Sequence, residues 1–125
     1  HPDRKVVPVT GDAGFMMNAQ ELETAVRVGT PIVVLIWNDN GYGLIKWKQM
    51  NQFGRPAYVD FQNPDFITFA ESFGAKGYRV ERTADLLPTL RQALEEDTVT
   101  VIDCPVDYRE NMKLTNQLGE MVCPV

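Results

Sequence analysis

Two acidic residues, Asp12 and Asp39, each stand in a short run of small residues and amides. The runs are Gly11-Asp12-Ala13-Gly14 and Asn38-Asp39-Asn40-Gly41-Tyr42-Gly43. Carboxylate and carboxamide oxygens are hard donors, the kind that hold Mg²⁺ together with phosphate oxygens and water. Glycines at the mouth of a helix let an anion approach backbone N–H groups closely. A carboxylate alone would repel a phosphate there, and a divalent cation between the two removes the conflict. The same residue types also cap helices and shape turns. Spacing alone therefore leaves both readings open.

The elements around the two runs must bring them together. Lys5–Thr10 and Pro31–Trp37 are short, β-branched apolar runs without alternation, as in strands buried on both faces. Helical spacing at Leu22, Ala25 and Val26 predicts a helix over Asn18–Val28, closed by Gly29 and Pro31. A second helix is expected from Gly43 to about Phe53, and a third over Asp65–Phe73 after Asn63-Pro64. A strand near Gly77–Val80, a helix over Ala84–Glu95 and a strand over Val99–Asp103 complete the order. Pro88 is tolerated because it lies close to a first turn.

This alternation predicts an α/β fold, a doubly wound and mostly parallel sheet with helices on both faces. Ligands of such sheets bind beyond the carboxyl ends of the strands, and both acidic runs follow a strand. Asp12 and Asp39 are 27 residues apart, one strand-helix-strand crossover.

Composition narrows the function classes. With 125 residues, 44% hydrophobic and 23% charged, the chain reads as one domain, 1–125, with 106–125 as a C-terminal tail. A net charge of −5 with scattered Lys and Arg argues against a nucleic-acid surface. No apolar run reaches the roughly 18 residues of a membrane span, and no secretory signal opens the chain. Cys104 and Cys123 lack metal-ligand spacing and suit structural thiols in a reducing, cytoplasmic setting. His1-Pro2-Asp3-Arg4 runs into a strand without an initiator Met, which reads as an excised piece of a longer chain.

Gly11-Asp12-Ala13-Gly14 followed by Trp37-Asn38-Asp39-Asn40-Gly41-Tyr42 resembles the bipartite motif of thiamine-diphosphate enzymes. ELETAVR, VDF, FAESFGA, DLLPTLRQAL and VIDCPVDYREN extend the similarity to the C-terminal diphosphate-binding domain of acetolactate synthases. The resemblance implies that Asp12 and Asp39 ligate Mg²⁺ by their side chains and Gly41 by its backbone carbonyl. Gly11, Ala13, Gly14, Tyr42, Gly43 and Leu44 would surround the cofactor diphosphate. Leu44 and Ile45 would border the thiazolium and substrate pocket, although they also suit a helix core. Met16, Met17 and Trp47 read as packing residues, and Lys46 and Lys48 as a solvated helix face.

Three departures bear on this assignment. Ala13 replaces the third residue of the usual Gly-Asp-Gly. Asp39 stands where many relatives have Asn, a feature shared with the catabolic acetolactate synthases. Biosynthetic members often carry Trp at the position of Lys48, whereas here Trp47 lies one place earlier.

The implied chemistry is decarboxylation of a 2-oxo acid such as pyruvate on the thiazolium, which accepts electrons as carbon dioxide leaves. Condensation with a second 2-oxo acid follows. The resemblance implies a homodimeric or tetrameric parent, with FAD allowed as an additional cofactor. A partner subunit would supply the pyrimidine-binding domain and the activating glutamate, so no catalytic residue is assigned here and the piece alone is expected to be inactive. A 2-oxo acid decarboxylase, a benzaldehyde-lyase-like enzyme and a module that keeps only the fold are the alternatives.

Overall fold

In the computed structural model, which describes residues 4–111 and Lys113, the apolar runs form a four-stranded parallel sheet. Its strands are β1 (Val9–Gly11), β2 (Val33–Asn38), β3 (Lys76–Arg79) and β4 (Thr100–Pro105), in the order β1-β2-β4-β3. The first strand is shorter than its apolar run. Val33 N–H donates to Val6 O and Leu35 N–H to Pro8 O, but Pro8 has no N–H to return. The ladder is thus reduced to Val9–Gly11 plus one bridge between Val6 and Ile32.

The helices are α1 (Asp12–Met17), α2 (Glu21–Val28), α3 (Gly43–Phe53), α4 (Phe66–Ser72) and α5 (Leu86–Glu95). The expected single helix over Asn18–Val28 is corrected to two pieces. Asn18, with φ −136° and ψ 27°, leaves the helical region and ends α1. Gly11–Gly14 passes from strand to helix with no loop between. Extended Gly11 is both the last residue of β1 and the cap of α1, and Asp12 opens the helix, where its charge suits the dipole.

The other elements match their sequence signals to within two residues at either end. Asp65 caps α4 by accepting from Thr68 N–H at 2.8 Å, which satisfies one of the donors that the helix start leaves unpaired. Pro88 sits in the first turn of α5, where its missing N–H is no loss.

Crossover direction dictates the faces. The chain steps one way from β1 to β2 and from β2 to β3, then back from β3 to β4. If every crossover has the same hand, the helix of the reversed step must lie on the opposite face. It does. Val34, Ile36 and Val101 pack with Phe15, Leu22 and Phe66 of α1, α2 and α4. Val33, Leu35 and Ile102 pack with Ala93, Leu90 and Leu94 of α5. Helix α3 belongs to neither core and has no buried residue.

Candidate functional site

Parallel pairing sets Gly11 beside Trp37, so β1 and β2 end side by side and deliver both acidic runs to one edge of the sheet. Asp12 is only 2% exposed, and three N–H donors serve its carboxylate, which leaves one of its roughly four acceptor positions open. Oδ1 accepts from Ala13 N–H at 2.8 Å, and Oδ2 accepts from Asn40 N–H at 2.8 Å and Asn63 Nδ2 at 2.7 Å. Asn40 aims its N–H there with φ 55°, a left-handed conformation that Asn tolerates better than most residues.

The second run is held by a segment to which the sequence reading gave no element. Gly41 bridges Asp60, Tyr42 N–H donates to Val59 O at 2.8 Å, and Phe61 N–H donates to Asn40 O at 3.1 Å. The rings of Tyr42 and Phe61 pack 5.0 Å apart. Gly41 is buried against this clamp, and a Cβ there would meet Val59 O at 3.1 Å.

Behind the run lies buried Asp103. It accepts from Asn38 Nδ2 at 2.9 Å and from Arg79 Nε at 3.0 Å, so its charge is paired. Arg79 also reaches Asp65 at 3.0 Å, tying the helix cap to the same network.

Charge accumulates at this edge. Burial, and next the nearby Asp12 carboxylate, raise the Asp39 carboxyl above its ordinary value. Burial followed by Asp39 and Asp12 likewise raises the phenol of Tyr108. Lys46, near Asp39, is paired with Asp60 at 2.8 Å. A divalent cation would relieve the repulsion between the two carboxylates.

The donor set suits that role in a particular way. No cluster of three or more His, Cys, Asp or Glu able to hold a metal occurs among the described residues. The two carboxylates, with the Gly41 carbonyl that the resemblance adds, would leave several positions for phosphate and water, as Mg²⁺ sites do and self-contained zinc or calcium cages do not. The residues therefore fit a cation that is completed by a phosphate ligand.

Ala13 lies inside α1, where a Cβ imposes no left-handed strain, so the departure from glycine is accommodated. Gly14 abuts β1, and a Cβ there would meet Thr10 Oγ1 at 2.9 Å. Leu44 is 65% exposed and Ile45 is exposed as well, so neither is a core residue of α3.

Met16 and Met17 are also not packing residues of the core. Phe15 takes the inward position of α1, and both methionines face a groove of about 240 Å³ also bordered by Ala13, Tyr42, Phe61 and Asn63. Trp47 is half-buried, with its indole N–H unpartnered. Asn63 and Asp103 are the site residues that sequence reasoning missed. Of the tail, Val106 N–H donates to Asn38 O at 2.9 Å, and the Tyr108 ring adjoins Gly43. His1 and Cys123 lie outside the described residues.

A family model described as "Thiamine pyrophosphate enzyme, C-terminal TPP binding domain" matches residues 1–104. The acetolactate synthase of Bacillus subtilis (strain 168) is 44% identical over 97% of this chain and 22% of its own length. The catabolic acetolactate synthase of Raoultella terrigena is 46% identical over 94% of this chain and 21% of its own. Among solved structures, the Rhodococcus jostii RHA1 thiamine diphosphate-dependent 4-hydroxybenzoylformate decarboxylase aligns with a TM-score of 0.80 at 27% identity. That alignment covers 87% of this chain and 21% of the other. The chain spans about a fifth of the length of the relatives it matches.

Proposed function

This chain belongs to the C-terminal TPP-binding domain family of thiamine pyrophosphate enzymes, and we propose that it anchors the cofactor diphosphate through Mg²⁺ in an acetolactate synthase. The observation that carries this reading is the meeting of Asp12 and Asp39 at the ends of adjacent parallel strands. Asp12 and Asp39 would ligate the cation by their carboxylates and Gly41 by its carbonyl. The N–H groups that open α3, at Gly43 and Leu44, have no partner within the helix and suit the diphosphate oxygens. When bound, thiamine diphosphate supplies the electron sink for decarboxylation of a 2-oxo acid. The chain's own contribution is to hold that cofactor by its charged end and to keep Asp12 fixed and dry.

Leu44 and Ile45, at the exposed start of α3, border the substrate in this proposal. The exposed apolar residues of α3, Leu44, Ile45, Met50 and Phe53, suit a covering domain from a second subunit of a dimer or tetramer. Residues 1–125 then form one anchoring domain, whose tail from residue 106 begins by crossing the site. No helix among the described residues is long and apolar enough to cross a membrane. A free, buried Cys104 is in keeping with a cytoplasmic parent.

The test uses the full-length parent with pyruvate, thiamine diphosphate and Mg²⁺. Formation of acetolactate with release of carbon dioxide is expected, and Asp12→Ala should abolish Mg²⁺-dependent cofactor retention. Retention by that variant in the presence of chelator would overturn the ligand role. The likeness to the Rhodococcus decarboxylase favours a second reading, a 2-oxo acid decarboxylase. An aldehyde in place of acetolactate would select it.

A further inference from the structure

We propose that Asn63 is a positioning residue that fixes the Asp12 carboxylate for the cation, an inference that rests on the metal-anchoring function proposed above. Asn63 lies 51 residues from Asp12 in sequence, yet its Nδ2 is 2.7 Å from Asp12 Oδ2. The same amide nitrogen is 3.0 Å from Asn38 Oδ1 and 3.3 Å from Asn40 Oδ1. One amino group thus faces acceptors from both acidic runs.

Its orientation is dictated by charge. Asn38 commits its own Nδ2 to Asp103 Oδ1, while Asp103 Oδ2 takes Arg79 Nε. Asn38 must therefore present its oxygen to Asn63. An Asn63 amide turned the other way would set its oxygen against the Asp12 carboxylate and the Asn38 oxygen. The arrangement seen leaves Asn63 Oδ1 buried and unpartnered, which is unfavourable by itself. The contact with an ionised carboxylate outweighs that loss, since hydrogen bonds to charged groups are the stronger ones.

Local structure makes Asn63 a firm support. Pro64 restricts the residue before it to extended backbone. Upstream, Phe61 is paired with Asn40, and downstream Asp65 caps α4. The amide is held between two fixed points and reaches across to Asp12. It sets the carboxylate before a cation arrives, so less ordering remains for binding to supply.

The experiment compares Asn63→Ala, Asn63→Ser and Asp65→Ala in the full-length parent. Mn²⁺ affinity is read by electron paramagnetic resonance, and Mg²⁺-dependent thiamine diphosphate binding by intrinsic fluorescence. Asn63→Ala should weaken cation affinity about tenfold or more. Saturating Mg²⁺ should restore kcat while the Mg²⁺ requirement stays raised. Serine is too short to reach Asp12 and should behave as alanine does, which covers a failure of either variant to fold. Asp65→Ala, which removes the α4 cap and its Arg79 contact but leaves the Asn63 amide in place, should lower Tm and cost clearly less cation affinity than Asn63→Ala does. Unchanged cation affinity in Asn63→Ala or Asn63→Ser would overturn the assignment, as would an equal loss in Asp65→Ala. A wild-type parent that binds no cofactor with the cation would instead overturn the anchoring function itself.

Discussion

Asp39 Oδ2 lies 3.0 Å from the point where a Cβ on Gly43 would begin, so the carboxylate occupies space that any side chain on Gly43 would contest. Helix α3 can start beside Asp39 because its first residue has no side chain. The Asp39 carboxylate and the N–H groups that open α3 are thereby brought to one place.

Gly43→Ala tests that relationship. Alanine is the better helix former by up to about 1 kcal/mol, so the helix itself should not suffer. The added methyl must push the Asp39 carboxylate aside by a few tenths of an ångström. We expect Mg²⁺ affinity of the parent to fall several-fold while Tm moves by no more than a few degrees. A titration showing wild-type Mg²⁺ affinity would mean that Asp39 moves without consequence.

Asp39 should also control the pH response. Burial, and then Asp12, raise its carboxyl above the ordinary value. The folded chain therefore holds that proton more tightly than the unfolded chain does. Without cation, stability should fall as pH rises from the ordinary carboxylate value through the raised one. A divalent cation requires the ionised form, so its affinity should weaken as pH falls, beginning above the usual carboxylate range. Asp39→Asn removes the titration but keeps an oxygen, and should flatten both profiles. Asp39→Leu removes the oxygen as well. It should weaken Mg²⁺ at least about tenfold, since outer-shell losses alone reach 10–100-fold. Identical Mg²⁺ titrations for the two variants would reduce Asp39 to a turn residue.

The acidic pair was legible in the sequence because its signals are local. Each run follows a β-branched strand, and adjacent parallel strands bring their carboxyl ends together. The break at Asn18 was not legible, because Leu22, Ala25 and Val26 carry a helical period that says nothing about where an earlier helix ends. Asn63 and Asp103 escaped for a different reason. Asn63-Pro64-Asp65 has the sequence of a helix start, and Asp103 sits in an apolar strand, so each had a sufficient local explanation. Their partners, Asp12 and Arg79, lie 51 and 24 residues away and are found only by folding.

Cys104 should be inert in the native chain. Burial, followed by the charge of Asp103, pushes its thiol up to about 11, so the reactive thiolate is scarce near neutral pH. Iodoacetamide at pH 8 should leave the Cys104 peptide unmodified in the folded protein and label it fully in denaturant, as read by peptide mass spectrometry. Rapid native labelling would show that this end of β4 opens readily.

Gly77 should tolerate no side chain, for a reason unrelated to the site. Helix α4 crosses β3 so closely that a Cβ on Gly77 would stand 2.6 Å from Ile67 Cα and 2.9 Å from Ile67 O. Both are backbone atoms, so no rotamer change can relieve the contact, and the helix must move away from the sheet. That helix supplies Phe66 and Ala70, both fully buried in the core beneath β2 and β4. Forcing extra volume into a packed interior costs about 1–3 kcal/mol, and a backbone clash belongs at the upper end. Because Asp65 and Asn63 precede α4 directly, its displacement should also loosen the Asn63 contact with Asp12. Gly77→Ala is therefore expected to lower Tm or soluble yield first and Mg²⁺ affinity second, in contrast to Gly43→Ala, which should do the reverse. Unchanged thermal unfolding of Gly77→Ala would contradict the close approach of α4 and β3.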